Sequence, residues 1–374
     1  MRFLILNTDY PQFLQELYAK TPGLAEEPFA RQMAARMETM FGVADFYSHA
    51  LKNLGHQAID VHANNGAAQQ AWGREHGMTF APSDATPRAL FPWTCRMEPG
   101  KWQYEVLAAQ LRHYRPDVVL NQAMDMIDPA ALREFKPFIG QLVGQHASPP
   151  LKDDADWSAY DLAVSSFMPR VEWFRQKRLH AELNRLAFDR RVIERVGVLN
   201  RDISISFVGT FLDMHTSRTA LLERLAEAGV PLKIWGMVPA NGLANSPLSD
   251  CYMGPAWGMQ MYEILARSRI VINHHGNVPP YANNLRLFES TGSGAMLLTD
   301  DKPNLKELFK PEAEIVAYCD ADECLERVQY YLAHEEERFQ FARAGQARTL
   351  AEHTFENRMS ELIEIIAHAQ VANP

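Results

Sequence analysis

The chain has 374 residues, 47% hydrophobic and 22% charged, with 37 basic against 46 acidic residues and a net charge of −9. That length exceeds one typical core and predicts two domains of roughly 100–200 residues each. An acidic balance excludes a broad nucleic-acid footprint, which needs a clustered basic face.

Residues 3–6 read as a buried strand opening into the polar loop 7–11. The first residues carry one basic side chain and too short an apolar run for a signal peptide. No window reaches the roughly 18 apolar residues of a membrane span, so a cytoplasmic protein is expected. From 27 to 55 the apolar spacing is helical, with Phe29, Met33, Met37, Met40 and Phe41 on one stripe and Phe46, Ala50, Leu51 and Leu54 on another. Core packing explains both stripes. Gly55 ends the helix and 58–61 is the next strand. Residues 72–100 carry four prolines and little periodicity, as a long loop or insertion would. Helix 104–113, strand 116–121, helix 129–135 and strands 138–143 and 160–165 continue the alternation, and 171–196 reads as helical and charged. The four cysteines (Cys95, Cys251, Cys319, Cys324) form no C-x-x-C pair, so neither a zinc site nor a disulfide scaffold is expected.

A fresh strand over 203–208 closes on Gly209 and Thr210. Helix 217–228, capped by Gly229, leads to strand 232–235, and helix 260–266 leads to strand 270–273. Helix 283–291 runs through Gly292 and Gly294 into strand 295–299. Strand 314–318 and helices 322–333 and 335–350 complete the second half. Two such alternations predict two doubly wound Rossmann-like α/β domains, 1–195 and 196–355, with 356–374 a terminal helix placed to cross back to the first.

In an open parallel sheet, ligands bind beyond the carboxyl ends of the strands. In the first half those positions hold Asn7, Asp9, Tyr10, Asn121, Asp125, His146 and Ser148. In the second they hold Gly209, Thr210, Gly236, Asn273 to His275, and Asp300. Two facing domains would bring both sets to one cleft. Gly209 at a strand end just before a helix is what close approach of a phosphate needs, because the helix N-terminus attracts anions; it is also what any tight turn needs. Arg218, near the start of that helix, is either a partner for a diphosphate or a surface arginine. The densest cluster is 283–294. There Asn283 and Asn284 can cap the helix, and Arg286 and Glu289 can pair three residues apart. Alternatively, the Glu289 carboxylate can accept two ribose hydroxyls. Adjacent His274 and His275 suggest a metal, but their side chains diverge and no carboxylate stands at ligand spacing, so none is expected. Neither half carries a dinucleotide glycine fingerprint, which disfavours a dehydrogenase.

The run from Ile270 to about Arg358 resembles the C-terminal domain of group-1 glycosyltransferases of the GT-B fold, in particular the CgeB-like (spore-maturation-type) branch. The resemblance rests on Ile-Val-Ile-Asn273, Asn284-Leu-Arg-Leu-Phe-Glu289, Gly294-Ala-Met-Leu-Leu-Thr-Asp300, Glu307-Leu-Phe309 and the closing Glu352-His-Thr-Phe-Glu-Asn-Arg358. It implies a hexosyltransferase-type enzyme that moves a sugar from a nucleoside diphosphate sugar to a glycan, protein or small-molecule acceptor, without metal or bound cofactor. Glu289 would hold the donor ribose, Gly209, Thr210 and Arg218 would lie near the diphosphate, and Asn273, Asn283, Asn284 and Arg286 would face the sugar phosphate. Members that retain configuration carry a second glutamate where this chain has Tyr281, a departure that leaves the sugar and the stereochemical course open. The resemblance also points to His146 and Asp9 as the catalytic groups of the first half, as base or hydrogen-bond partner. A sugar-nucleotide epimerase or hydrolase, or a silent binding protein, would share this fold.

Overall fold

The computed structural model describes residues 1–80, 99–147, 151, 153–211, 216–238, 243, 246–276 and 280–372. The chain divides into two compact units, Met1–Arg185 with Met359–Pro374, and Leu186–Arg358.

The first unit is a six-stranded parallel sheet of β1 (Arg2–Asn7), β2 (Gln57–His62), β3 (Val118–Asn121), β4 (Gln141–Gln145), β5 (Leu162–Ser165) and β6 (Ala181–Leu183), in the order β2-β1-β3-β4-β5-β6. Its central strands are apolar on both faces, as a sheet covered on both sides requires. Leu4, Leu6, Val119 and Leu142 pack with Leu107 and Leu111 of helix Lys101–Tyr114, Leu132 of helix Pro129–Phe135 and Phe174 of helix Met168–Gln176. The stretch 171–196 is not one helix. It breaks at Arg178 (φ 61°), and β6 then adds to the edge of the sheet, Ala181 opposite Ala163. A three-residue edge strand with a charged middle residue leaves no period-2 signal. Residue 72 is likewise helical: helix Gly66–Glu75 buries Trp72 against Phe29, Met33 and Val106, and its indole N–H donates to Tyr114 Oη at 2.7 Å. Most of the expected insertion, 81–98, lies outside the described residues, as does Cys95.

The second unit is a five-stranded parallel sheet of β7 (Ile203–Val208), β8 (Leu232–Trp235), β9 (Ser268–Asn273), β10 (Met296–Asp300) and β11 (Val316–Tyr318), ordered β11-β10-β9-β7-β8. Its core joins Ile205, Ile234, Ile270, Ile272, Met296 and Leu298 to Leu222 and Leu225 of helix Thr216–Glu227 and Val328 of helix Ala321–Ala333. This unit takes in residues 186–195, because Phe188 exchanges backbone hydrogen bonds with His353 (2.9 Å) and Phe355 (3.2 Å). The Phe188 ring also fills the space over Gly292, where an added Cβ would lie 2.5 Å from it.

Each sheet has a point where the strand order reverses, between β1 and β3 in the first unit and between β7 and β9 in the second. Ligands of doubly wound sheets bind at such reversals. No helix among the described residues is long and apolar enough to cross a membrane.

Candidate functional site

At the reversal of the second unit, one side chain spans the two strand ends. Arg218 donates through Nη1 to the Thr210 carbonyl (2.8 Å), past β7, and through Nη2 (2.8 Å) and Nε (3.3 Å) to the His274 carbonyl, past β9. The guanidinium lies over the Phe207 ring, 5.5 Å from its centroid. Among the described residues no carboxylate lies within ion-pair distance of it. Burial pushes its pKa down to about 10, against the distant pull of Asp300. A nearly buried cation whose acceptors, among the described residues, are carbonyl oxygens keeps its charge for an anion. The backbone beside it is tightly set. Gly236, at φ 145°, follows β8, and a Cβ there would stand 1.7 Å from the Gly209 carbonyl oxygen, while the Gly209 N–H donates to Trp235 (2.9 Å).

A polar layer braces these strand ends. Asn273 donates to Thr299 Oγ1 (2.8 Å) and accepts from Asn284 Nδ2 (2.9 Å), and its carbonyl accepts Tyr318 Oη–H (2.6 Å). Asp300 accepts from the His275 backbone N–H (3.2 Å), from His275 Nδ1 (2.6 Å) and from Lys302 Nζ (2.9 Å). Burial opposes its ionisation, but His275, His274 and Lys302 hold the carboxyl well below the usual range.

The expected helix over 283–291 begins later, at Arg286 (Arg286–Gly292), with Asn284 Oδ1 reaching the Leu287 N–H at 3.3 Å. Tyr281 and Asn283 lie on the irregular segment before it, both partly exposed. Arg286 and Glu289 do pair, Nη1 to Oε2 at 2.6 Å, and Arg286 Nε also donates to the Val208 carbonyl (3.1 Å). The other Glu289 oxygen accepts from Tyr262 Oη at 3.3 Å. Each carboxylate oxygen keeps a lone pair, so the pair and a ligand role are compatible. Thus Thr210 and Arg218, Asn273 and Asn284, and Arg286 and Glu289 are joined to the ends of β7 and β9 by hydrogen bonds. Tyr262, inside helix Met259–Arg267, and Lys302, two residues past β10, were not among the residues expected at this site.

In the first unit the structure corrects one expectation. Asp9 is no free base: its carboxylate is buried, bonded to Arg36 Nη2 at 2.8 Å, and 2.8 Å from His62 Nδ1. Burial would raise its pKa, but Arg36 and His62 outweigh it and hold the group far below the carboxylate range, where it has little affinity for a substrate proton. His146 follows β4, buried, its backbone N–H donating to Val164 (3.2 Å); Ser148 lies outside the described residues. Across the reversal runs a row of carboxamides not anticipated from sequence. Asn7 donates to Gln122 (3.1 Å), Gln122 to Gln145 (2.9 Å) and Gln145 to Tyr47 Oη (2.6 Å). Asn121 is turned away to Tyr160 Oη (2.7 Å). Among the described residues no three His, Cys, Asp or Glu side chains are grouped to hold a metal.

Comparison with known structures places this architecture. The sucrose-phosphate synthase of Thermosynechococcus elongatus superimposes with a TM-score of 0.58 at 12% identity, over 100% of both chains. HepE of Anabaena, solved in complex with UDP-glucose, gives 0.59 at 10% identity, over 98% of this chain and 100% of its own. A glycosyltransferase from Rickettsia africae gives 0.57 at 10% identity over 100% of both. The chain has the GT-B fold, built from two doubly wound α/β units. In sequence, residues 218–364 match the family model described as glycosyl transferase-like, a span that begins at Arg218 and includes Glu289. No curated protein matches the chain in sequence.

Proposed function

We propose that this protein is a glycosyltransferase that binds a nucleoside diphosphate sugar at the carboxyl ends of β7 and β9. The sugar passes to a hydroxyl of a glycan, protein or small molecule bound by the first unit. The observation that carries this reading is Arg218, a buried guanidinium at the strand reversal with carbonyl partners and, among the described residues, no carboxylate. It would neutralise the diphosphate as the bond from the anomeric carbon to the phosphate oxygen breaks, a role that many enzymes give to a metal ion. The transfer is therefore metal-independent in this reading. Glu289, oriented by Arg286 and Tyr262, would accept the ribose hydroxyls. His146 would act on the acceptor side, since Asp9 is consumed by Arg36 and His62. The motifs over 270–358 and the family match over 218–364 support this reading, with a CgeB-like subtype, a hexosyl donor and a cytoplasmic setting as its finer parts.

The test is a thermal-shift screen with UDP, GDP, dTDP and their sugars, since a ligand of the folded state raises stability by mass action. Release of the nucleoside diphosphate is then followed with and without an acceptor library. Acceptor-dependent release that survives EDTA, with at least tenfold weaker nucleotide binding in Glu289→Ala, is expected. No shift with any nucleotide at millimolar concentration would sink the proposal, and release that ignores acceptors would point to a hydrolase or epimerase.

A further inference from the structure

The two adjacent histidines after β9 are held in opposite ways. His275 gives both its backbone N–H and its Nδ1 to Asp300, and its side chain is 1% exposed. His274 is 14% exposed, and its Nδ1 lies 2.8 Å from the backbone nitrogen of Gly276. A backbone N–H can only donate, so His274 Nδ1 must be an acceptor without a proton. The single proton of the neutral ring is then on Nε2, which becomes a hydrogen-bond donor of fixed tautomer.

We propose that His274 is a neutral hydrogen-bond donor that presents Nε2–H to a phosphoryl oxygen of the nucleoside diphosphate, beside the guanidinium of Arg218. The assignment rests on the reading of the second unit as a donor site. Its position follows from Arg218, which grips the carbonyl of this same residue through two nitrogens, so that guanidinium and imidazole share one strand end. Two pieces of chemistry favour a phosphoryl oxygen over other ligands. The nearby carboxylate, Asp300, stands 4.0 Å from His274 Nδ1 and is committed to His275 and Lys302. Among the described residues, Arg218 and Lys302 are the cations near it, and they draw an anion to the place where an N–H is on offer.

The same surroundings keep the ring neutral. Among the described residues, the titratable groups that bear on it are Asp300, Arg218, Lys302 and His275. Burial is the largest influence, and with the three basic neighbours it outweighs Asp300 and pushes the His274 pKa down to about 4. Above pH 5 the donor is therefore an imidazole rather than an imidazolium, and its proton does not leave in the neutral range. No proton is transferred in this role. His274 orients the diphosphate and stabilises its charge while the sugar–phosphate bond breaks, as preorganised donors do.

Two substitutions separate the nitrogens. His274→Asn keeps an acceptor for the Gly276 N–H near the Nδ1 position and removes the Nε2 donor. His274→Gln carries an amide N–H to the Nε2 position. Binding of UDP and UDP-glucose is measured by calorimetry, or that of the guanosine or thymidine pair where the wild-type chain prefers it. His274→Asn should bind both ligands about tenfold more weakly, the loss expected for one hydrogen bond to a charged acceptor. His274→Gln should stay within about threefold of wild type. Wild-type affinity for the nucleotide sugar, whose diphosphate does not titrate near neutrality, should be level from pH 5.5 to 8. The inference fails if His274→Asn binds UDP as the wild type does, or loses only UDP-glucose, which would move the contact to the sugar. It also fails if the wild type shows a step near pH 6.5 that His274→Gln or His274→Asn abolishes, because the donor would then be an imidazolium. Loss of nucleotide binding in the wild type itself would overturn the donor-site reading and this inference together, whereas an unchanged His274→Asn overturns only the latter.

Discussion

Replacing Arg218 by methionine removes the charge while keeping most of the stem, and its two consequences can be weighed separately. The fall in the arginine's pKa from 12.5 to about 10 means that the folded protein disfavours the charged form by about 3 kcal/mol. The sign is that of a depressed cation: the folded state binds this proton more weakly than the unfolded chain does, so the penalty is fully present at neutral pH and fades as pH rises above 10. Arg218→Met relieves that penalty. It also strips the Thr210 and His274 carbonyls of charged hydrogen bonds, each worth about 1.5–3 kcal/mol. The terms oppose, and the stability of the unliganded protein in urea should fall by no more than about 3 kcal/mol. Ligand binding has no such compensation. A lost charge-assisted contact to the diphosphate costs about 2–3 kcal/mol, or about 30- to 150-fold in affinity for UDP by calorimetry. Arg218→Lys should fall between, because one ammonium cannot reach both carbonyls in the geometry of a guanidinium. The reasoning is refuted by the reverse pattern, a loss of 4 kcal/mol or more in stability with UDP affinity intact. Arg218 would then be a bracket for two strand ends and nothing more.

Gly236→Ala should lower the melting temperature by several degrees and weaken nucleotide binding together, because its Cβ would stand 1.7 Å from the Gly209 carbonyl oxygen at a φ that alanine resists; a scanning-calorimetry trace matching wild type would show that the Gly209 turn yields freely. Asp9→Asn should destabilise the protein by about 3–5 kcal/mol in urea, since it leaves Arg36 buried without its counter-charge. The Asp9 pKa lies below its unfolded value, so its stabilisation is present above about pH 4 and is lost as pH falls further; acid unfolding should therefore be shallower in Asp9→Asn than in wild type.

The strands of the second unit were legible almost residue by residue, because each is an apolar run bounded by Gly, Asn or Pro: 203–208 and 232–235 coincide with β7 and β8. What failed was short or polar. β6 has three residues with a glutamate at its centre, and helices Pro11–Lys20 and Gly66–Glu75 follow strand ends rich in Asn, Asp, Thr and Gly, which are loop formers. Trp72 looked like the start of an insertion because the prolines behind it dominated the window, while its buried partners, Phe29 and Val106, lie more than thirty residues away in sequence. The i,i+3 pair of Arg286 and Glu289 could be read directly from spacing. The grip of Arg218 on two carbonyls could not, since backbone acceptors leave no trace in side-chain identity.

Asp9 and Asp300 show where sequence reasoning about strand ends stops. Asp9 follows an apolar strand and Asp300 ends one, both are buried, and in each a histidine and a basic side chain approach the carboxylate. Position alone offers Asp9 as a base and sets Asp300 among the strand-end residues, yet cationic neighbours hold both ionised and well below the range of a useful proton acceptor. Their effect is exerted through what they hold. Asp300 fixes the His275 backbone and ring, and thereby the turn in which the His274 carbonyl meets Arg218 and the His274 ring accepts the Gly276 N–H. A carboxylate at a strand end is thus better understood as an anchor for neighbouring donors, and Arg218, whose acceptors among the described residues are backbone carbonyls, is left to meet an anionic ligand.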